Sequence, residues 1–236
     1  MATNYSYGTV TATNGVKLSF IKTSPKNVQP YYLNPAKTIP NSGQFGINGG
    51  FFELGTQTLL SIAVVNGVRV GGGGINDYGS GWYNVYNNAT PRGTLIWDNA
   101  ARQYKIQVIN SASQISVTNK NDYWAQGGNS MCLGKTESQF LTQAQAEDLP
   151  VYNSSAYRTG LVYNDALNIW LVVSTSTCTA AKFREAIKEK IGSNTLVDGI
   201  FLDGGGSTQM KCTEVSNNGT PSGRLIPQMI RLIDKT

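Results

Sequence analysis

The segment that is most informative about the fold is Val197-Asp198-Gly199-Ile200-Phe201-Leu202-Asp203-Gly204-Gly205-Gly206-Ser207-Thr208. Its first half is short and mostly apolar, which predicts a buried strand. Its second half opens with Asp203 and three glycines, whose backbone can take positive φ and let a ligand come close. Successive N–H groups of such a turn can bind an anion, and the hydroxyls of Ser207 and Thr208 would add donors. Because an ionised Asp203 would repel a phosphate, we interpret it as an acid, a base or a binder of sugar hydroxyls.

The same arrangement of a polar residue followed by two glycines occurs in two more places. The three segments are Asn48-Gly49-Gly50, Gln126-Gly127-Gly128 and Asp203-Gly204-Gly205, each preceded by a small or apolar residue. Any one of them alone is explained by an ordinary turn. Their recurrence predicts that the three turns meet at a common pocket, with the polar side chains at strand ends.

Outside the glycine segments, strands dominate the pattern. Asn14-Gly15 and Asn66-Gly67 are hairpin turn pairs, and they predict hairpins over 7–22 and 60–70. Further strands are predicted at 44–48, 93–97, 104–109, 114–118, 157–163, 168–174 and 229–233. Two regions are interpreted as irregular, 23–43 with its prolines and asparagines, and 71–91 with four consecutive glycines and the aromatic residues Tyr78, Trp82, Tyr83 and Tyr86.

One helix is predicted just before the strand at 197–202. Thr179 can cap it, Gly192 can end it, and Phe183, Ile187 and Ile191 give it one apolar face. The expected fold is α+β, with strand-dominated mixed sheets, one well-defined helix near 179–191 and a few short helices. A chain of 236 residues fits one domain over 1–236.

The composition excludes several classes of function. The chain has no histidine, which rules out Ser-His-Asp and Cys-His catalysis and any histidine-ligated metal. Its net charge of +5 is not gathered into a Lys/Arg tract, so no nucleic-acid duplex is expected as a partner. The cysteines, Cys132, Cys178 and Cys212, show no zinc spacing, and either one disulfide or three thiols fits them. No cofactor is expected, while a divalent metal held by Glu53, Asp203 and carbonyl oxygens stays open.

The N-terminus predicts a location without a leader. The residues from Met1 to Tyr5 lack a basic region followed by an apolar run, which a signal peptide would need. The apolar runs are too short to cross a membrane, so no membrane partner is expected. The expected location is cytoplasmic or phage-associated. The sequence gives no prediction of the oligomeric state.

Several segments, in the right order, resemble the phosphodiester glycosidase family. They are Gly46-Ile47-Asn48-Gly49-Gly50-Phe51-Phe52-Glu53, the stretch from Ala125 to Lys135, Arg158-Thr159-Gly160, Leu202 to Thr208, and Gly223-Arg224-Leu225-Ile226-Pro227. The resemblance covers about 45–236. In three respects the chain departs from the family: Glu53 stands where Asp is common, Ser130 lies near a usual Pro, and secreted or lumenal members have a leader. Bacterial and phage members are numerous.

The resemblance implies hydrolysis of the sugar–phosphate bond in a sugar-1-phosphodiester. Phosphate is a good leaving group, so the main need is a carboxylate that stabilises an oxocarbenium-like transition state as nucleophile or base. Asp203 is the first candidate and Glu53 the second. Arg158 is the candidate for the phosphate, because its planar fork suits paired oxygens. The remaining predicted substrate-binding residues are Asn48, Gly49, Gly50, Thr159, Gly204, Gly205, Gly206, Ser207 and Thr208.

Two other functions fit the same residues. The first is a non-catalytic module that binds phosphoglycans on a phage or a cell envelope, which the few charges and aromatic-rich loops would suit. The second is a hydrolase of a nucleotide-type signal with a ribosyl phosphodiester bond. The chemistry of the second is analogous, and a chain without a leader would meet such molecules in the cytoplasm.

Overall fold

A computed structural model describes residues 4–71, 79–85, 90–221 and 223–235 of the chain. Within these residues the structure has two α-helices, α1 (Glu137–Ala146) and α2 (Ala180–Lys190), and four short 3-10 helices, Pro25–Asn27, Ala112–Gln114, Gly192–Asn194 and Gly205–Ser207. The strands of the described part are β1 (Tyr5–Thr11), β2 (Lys17–Thr23), β3 (Val28–Lys37), β4 (Gly46–Asn48), β5 (Ala63–Val65), β6 (Val68–Arg69), β7 (Arg92–Asp98), β8 (Gln103–Ile109), β9 (Tyr123–Gly127), β10 (Asn129–Ser130), β11 (Thr159–Asn164), β12 (Ile169–Ser174), β13 (Leu196–Phe201), β14 (Gln209–Lys211), β15 (Asn218–Gly219) and β16 (Ile226–Leu232).

The strands form three sheets. The first has six strands in the order β1-β2-β12-β11-β13-β10, and the other two have five each, β15-β14-β4-β16-β3 and β6-β5-β9-β7-β8. The expectation of a strand-dominated fold is confirmed. Mixed sheets were expected, but the ladders between named strands in the described residues are antiparallel, as hairpin connections favour.

The six-stranded sheet is packed on both of its faces. Phe183 and Ile187 of α2 and Phe140 of α1 pack against one face, where Phe201 of β13 is buried. On the other face, side chains of β11, β12 and β13 pack against β4, β14 and β16 of the second sheet and β7 and β9 of the third. The second half of β13, residues 199–201, is therefore covered on both sides, which explains why this part of the strand carries no polar side chain.

The hairpins form where their turn residues predict them. Asn14-Gly15 joins β1 to β2, and that hairpin joins the six-stranded sheet through β2 and β12. At the second turn, Asn66 and Gly67 have φ values of 51° and 76°, the left-handed pair that a tight hairpin needs. The helix predicted near 179–191 is α2, and the Thr179 side chain caps it by accepting from the backbone N–H of Lys182.

Three sequence-based predictions about the elements were wrong. The region 23–43, expected to be loop, contains the ten-residue strand β3; its prolines are tolerated because β3 is an edge strand paired only with β16. Residues 114–118 do not form a strand. The helix α1 was missed, although Thr136 and Gln139 form a capping box at its start.

Other expectations concern the cysteines and the membrane. Cys132, Cys178 and Cys212 are free thiols. No helix in the described residues has the length and apolar content that crossing a membrane requires. Of the predicted irregular region 71–91, residues 72–78 and 86–89 lie outside the described residues, and with them Tyr78 and Tyr86.

Candidate active site

A cleft of about 230 Å³ opens where β13 ends. Part of its lining is polar or charged and comprises Asp203, Gly204, Gly205, Gly206, Arg158 and Arg224. The apolar part comprises mainly Phe51, Leu149, Pro150, Val151 and Ala156. The segment from Val197 to Thr208 thus supplies the acid of the cleft, while residues from three other parts of the chain complete it.

Close backbone contacts hold Asp203 at the mouth of this cleft. Its N–H donates to the Gly49 carbonyl at 3.2 Å. A Cβ on Gly204 would lie 2.7 Å from the Tyr157 carbonyl oxygen, so only glycine fits there without a shift. Gly205 has a φ of +55° and faces open space. The glycines after Asp203 therefore serve a tight turn that leaves the carboxyl group exposed to the cleft.

The pKa of the Asp203 carboxyl group lies above its usual value. Burial raises its pKa to about 6, although the Ser207 hydroxyl, the Arg224 charge and the Gly204 N–H each act to lower it. Desolvation is therefore the dominant effect. The group changes its charge close to neutral pH, which is where an acid or a base of a hydrolase must titrate.

Arg224 is the site residue that the sequence analysis did not select. Its Nη1 donates to Ser207 Oγ at 3.0 Å, and its guanidinium lies over Gly206, where a Cβ would be 2.9 Å from Nη2. The Ser207 hydroxyl also hydrogen-bonds the Asp203 side chain, so it links the acid to the guanidinium. The Arg-x-x-Pro part of the family resemblance contains Arg224 and is the signal that could have identified it.

Arg158 lines the cleft, but most of its donors have partners in the protein. Nε donates to the Cys178 carbonyl at 3.1 Å, and Nη2 donates to the carbonyls of Val151 and Ser154, both at 2.7 Å. Burial lowers its pKa from the usual value. The two edges on which a guanidinium grips paired oxygens both include Nη2. The predicted forked grip on phosphate is therefore not available to Arg158 in this arrangement.

Asn48 is buried and its amide is engaged by protein groups. Nδ2 donates to the Asp203 carbonyl at 2.8 Å, and Oδ1 accepts from Thr159 Oγ1 at 3.0 Å and from the Gln209 N–H at 3.1 Å. Thr159 Oγ1 in turn contacts Thr208 Oγ1 at 3.1 Å. Substrate contact was predicted for Asn48, Thr159 and Thr208. In the structure they form a buried network that joins three strands to the back of the Asp203 turn.

The first and second glycine turns meet through Gln228. Its Oε1 accepts from the Gly50 N–H at 2.7 Å, and its Nε2 donates to Gln126 Oε1 at 2.8 Å. A Cβ on Gly49 would lie 1.7 Å from that Oε1. Gly49 and Gly50 are thus needed for close packing rather than for ligand access. The three turns do come together, although only the third lines the cleft.

Most N–H groups of the turn at which an anion nest was predicted have partners within the protein. The Gly204 N–H donates to the Asp203 carboxyl group, the Gly205 N–H to the Tyr157 carbonyl, and those of Ser207 and Thr208 to carbonyls of the turn. These four donors are therefore engaged in the structure. Ser207 acts through Arg224 and Asp203 instead, as described above.

Glu53 and two aromatic residues of the predicted irregular region, Trp82 and Tyr83, are not part of the cleft lining. Glu53 is exposed on a turn that is closed by hydrogen bonds of its backbone to Gln57 and Thr58. Trp82 packs against the core of the third sheet, and Tyr83 pairs with Ser111. None of the three is among the residues that line the cleft.

The arrangement can place a carboxylate and a guanidinium on one small anionic ligand. Within the described residues no group of three or more Cys, Asp or Glu side chains could hold a metal ion. Among the residues at the cleft, Asp203, Ser207 and Arg224 are linked to one another and can supply acid–base and anion-binding chemistry. A carboxylate beside a bound anion suits attack on, or charge stabilisation at, a carbon that loses a phosphate.

The fold and this cleft define a strand-dominated protein with an acid–guanidinium site in a histidine-free chain. The chain belongs to the phosphodiester glycosidase family, whose model matches residues 41–233. That match confirms the resemblance seen in the sequence segments. A comparison of the sequence with curated proteins gives no match.

Solved structures share the fold at low sequence identity. The catalytic domain of zebrafish N-acetylglucosamine-1-phosphodiester alpha-N-acetylglucosaminidase, auto-inhibited by its pro-peptide, is similar with a TM-score of 0.62 and 14% identity over 98% of this chain and 82% of that one. A protein from Burkholderia pseudomallei is similar with a TM-score of 0.58 and 10% identity over 92% of this chain and 74% of that one. At these identities the likeness concerns the fold.

Proposed function

We propose that the chain, acting as one phosphodiester glycosidase-like domain over 1–236, hydrolyses the bond between sugar and phosphate in a sugar-1-phosphodiester. One observation carries the proposal. The Asp203 carboxyl group, with its pKa raised to about 6, faces a cleft that also contains the Arg224 guanidinium. Family membership supplies the reaction class, and this pair supplies residues able to perform it.

Asp203 acts in its ionised form at the anomeric carbon. Above pH 6 the carboxylate is available as a nucleophile or as a base for water, and its charge stabilises the positive charge that develops on the sugar. The leaving phosphate departs as an anion, so a strong general acid is not required. Glu53, exposed outside the cleft lining, stays the second candidate for a carboxylate role.

Arg224 takes the phosphate. Its guanidinium is partly exposed and lies beside Asp203, whereas Arg158 has Nε and Nη2 bonded to carbonyls. A guanidinium that binds the phosphate in the ground state and more tightly as its charge grows lowers the barrier. Ser207 keeps the two groups in register, because its hydroxyl contacts both.

The zebrafish structure suggests the first substrate to assay. Its name specifies an N-acetylglucosamine-1-phosphodiester, so UDP-N-acetylglucosamine and other UDP-sugars come first, with ADP-ribose and teichoic-acid fragments alongside. Turnover of the ADP-ribose compounds alone would instead favour the alternative of a hydrolase acting on a nucleotide-type signal.

The test is the Asp203→Asn variant, measured as release of sugar from the best substrate of that panel. We expect a loss of about 10³-fold in kcat, because the carboxylate is removed while the shape is kept. For the wild type, kcat/KM should fall about tenfold per pH unit below pH 6, since a phosphodiester itself does not titrate there. Asp165→Asn, on the exposed turn between β11 and β12, is the matched control.

Two results would contradict the proposal. Full activity of a folded Asp203→Asn variant would remove the carboxyl group from the mechanism. A wild-type protein that binds sugar phosphodiesters by calorimetry but turns none of them over would instead be the non-catalytic binding module.

A further inference from the structure

Three consecutive apolar residues of the cleft lining, Leu149, Pro150 and Val151, form what we call the Val151 wall, and one of them is strained. Val151 has a φ of +54°, in the left-handed region, and its side chain is 57% exposed while it lines the cleft. A β-branched residue is rarely found in that region, and holding it there costs free energy. An exposed, strained apolar residue beside a candidate active site suggests a role in function rather than in stability.

Arg158 holds the strained backbone in place. Its Nη2 donates to the carbonyls of both Val151 and Ser154 at 2.7 Å, and its Nε donates to the Cys178 carbonyl at 3.1 Å. A buried cation with three carbonyl acceptors fixes the loop from 151 to 154 against the strand-to-helix connection before α2. Because Nη2 is engaged, this guanidinium grips the loop rather than a pair of phosphate oxygens.

A second buried charge holds the other end of the same wall. The Glu147 carboxylate accepts from the N–H groups of Gly93 at 3.0 Å and Ser130 at 2.7 Å, from Ser130 Oγ at 2.7 Å and from Gln143 Nε2 at 2.8 Å. Glu147 stands two residues before Leu149, where the wall begins. The wall is thus fixed at both ends by buried, hydrogen-bonded charges, as a rigid recognition surface requires.

We infer that Arg158 is a positioning residue, and that the Val151 wall that it holds is the specificity surface for the apolar C–H face of the sugar. This inference rests on the proposed function. Since Asp203 and Arg224 line the same cleft as Val151, a sugar phosphodiester would place its phosphate at the charged residues and one ring face against Val151. Arg158 then acts on the substrate through the shape of the loop.

The first test changes the wall and keeps its backbone. Asparagine tolerates the left-handed region, so Val151→Asn retains the conformation and replaces an apolar surface by a polar one. We expect KM for UDP-N-acetylglucosamine to rise about fivefold with kcat within about twofold, the pattern of a lost contact made equally in the ground state and the transition state. Arg102→Asn is the matched control, since Arg102 has a φ of 53° on the exposed turn between β7 and β8.

The second test separates positioning from phosphate binding. Inorganic phosphate at millimolar concentration should raise the Tm of the wild type and of Arg158→Lys, because Arg224 is intact in both. Arg224→Gln should lose that rise. Arg158→Lys should also raise KM for UDP-N-acetylglucosamine with little change in kcat. Loss of the phosphate-dependent rise in Arg158→Lys, with the rise kept in Arg224→Gln, would overturn the inference.

The third test needs no enzyme activity. Unfolding equilibria are measured for wild type, Arg158→Lys, Val151→Gly and the double variant. When the clamp is weakened, Val151 can leave the left-handed region, and that relief offsets part of the loss; glycine has no such strain to release. We therefore expect Arg158→Lys to raise the unfolding equilibrium constant about tenfold more in the Val151→Gly background than in the wild type.

The outcomes distinguish this inference from the proposed function. Equal effects of Arg158→Lys in both backgrounds would refute the clamp, whatever the activity. A wild-type protein without turnover, but with the unfolding effect present, would refute the proposed function and leave the clamp standing. A Val151→Asn variant with unchanged KM would refute the role of the wall in substrate binding, and it stays measurable even if Arg158→Lys does not fold.

Discussion

Two glycine turns with the same pattern, Asn48-Gly49-Gly50 and Asp203-Gly204-Gly205, contact each other and behave differently. The Asp203 N–H donates to the Gly49 carbonyl, and Asn48 Nδ2 donates to the Asp203 carbonyl. In the Asn48 turn the polar side chain is buried and both its amide atoms have protein partners. In the Asp203 turn the carboxyl group reaches a cleft, and burial raises its pKa.

The two turns also differ in why they need glycine. Gly49 makes room for the Gln228 side chain, whereas Gly205 takes a positive φ and faces open space. The polar side chain of the Asn48 turn is therefore used within the fold, whereas that of the Asp203 turn faces the candidate site, where burial disfavours its charged form. A polar residue before two glycines indicates a functional contact only where that residue lacks sufficient partners inside the protein.

Alanine at the two glycines should separate scaffold from site most strongly. In Gly49→Ala the new Cβ displaces Gln228, which breaks buried hydrogen bonds to Gly50 and Gln126. We expect a loss of about 4 kcal/mol in the free energy of unfolding. Gly205→Ala meets no neighbour and should lose about 1 kcal/mol through its positive φ. Chemical denaturation measures both, and similar losses would refute the distinction.

The second prediction concerns the buried amide. Asn48→Ala leaves the Asp203 carbonyl, Thr159 Oγ1 and the Gln209 N–H without their partner in a buried place. We expect a loss of about 3 kcal/mol in the free energy of unfolding. Asn217→Ala, at an exposed asparagine, should change it by less than about 0.5 kcal/mol. An Asn48→Ala variant as stable as the control would mean that the network carries no stability and would return Asn48 to the substrate.

Much of the fold was predictable because its signals are local. The Asn-Gly pairs fix two hairpins, and the Thr179 cap with its apolar face fixes α2, since each depends on a few neighbouring residues. The strand β3 was missed because prolines normally interrupt strands, and its edge position depends on distant β16. The helix α1 has a low apolar content, and the capping box at its start was a signal that the sequence analysis did not use.

The site was only partly predictable for the same physical reason. Asp203 stands at the end of an apolar run, which is a local signal, and in the structure it lines the cleft. Arg158 was assigned to phosphate because of its chemistry, but its carbonyl acceptors come from turns that no sequence spacing brings together. Arg224 was visible in a quoted segment and lacked any sign that it would lie beside Asp203.

The last prediction tests whether the Asp203 turn destabilises the fold. In the unfolded chain an aspartate ionises near pH 4, whereas in the folded chain Asp203 ionises at about 6. As pH rises from 4 to 6, the unfolded state loses its proton first, so the folded state loses stability through this window and stays lower above it. Below pH 4 both states are protonated and the penalty is absent.

Asp203→Asn removes that penalty because its amide stays neutral. We expect the variant to be about 2 kcal/mol more stable than the wild type at pH 7.5, once the partial exposure of the carboxyl group is allowed for, and equally stable at pH 3.5. Denaturant unfolding at both values measures this, with Asp165→Asn as the control. A variant that is stabilised at neutral pH while losing activity would place Asp203 among groups that a protein keeps for function at the expense of stability. A variant less stable than the wild type at pH 7.5 would show instead that the contacts of the carboxylate with Ser207 and Arg224 outweigh its desolvation, and the two turns would then both be scaffold.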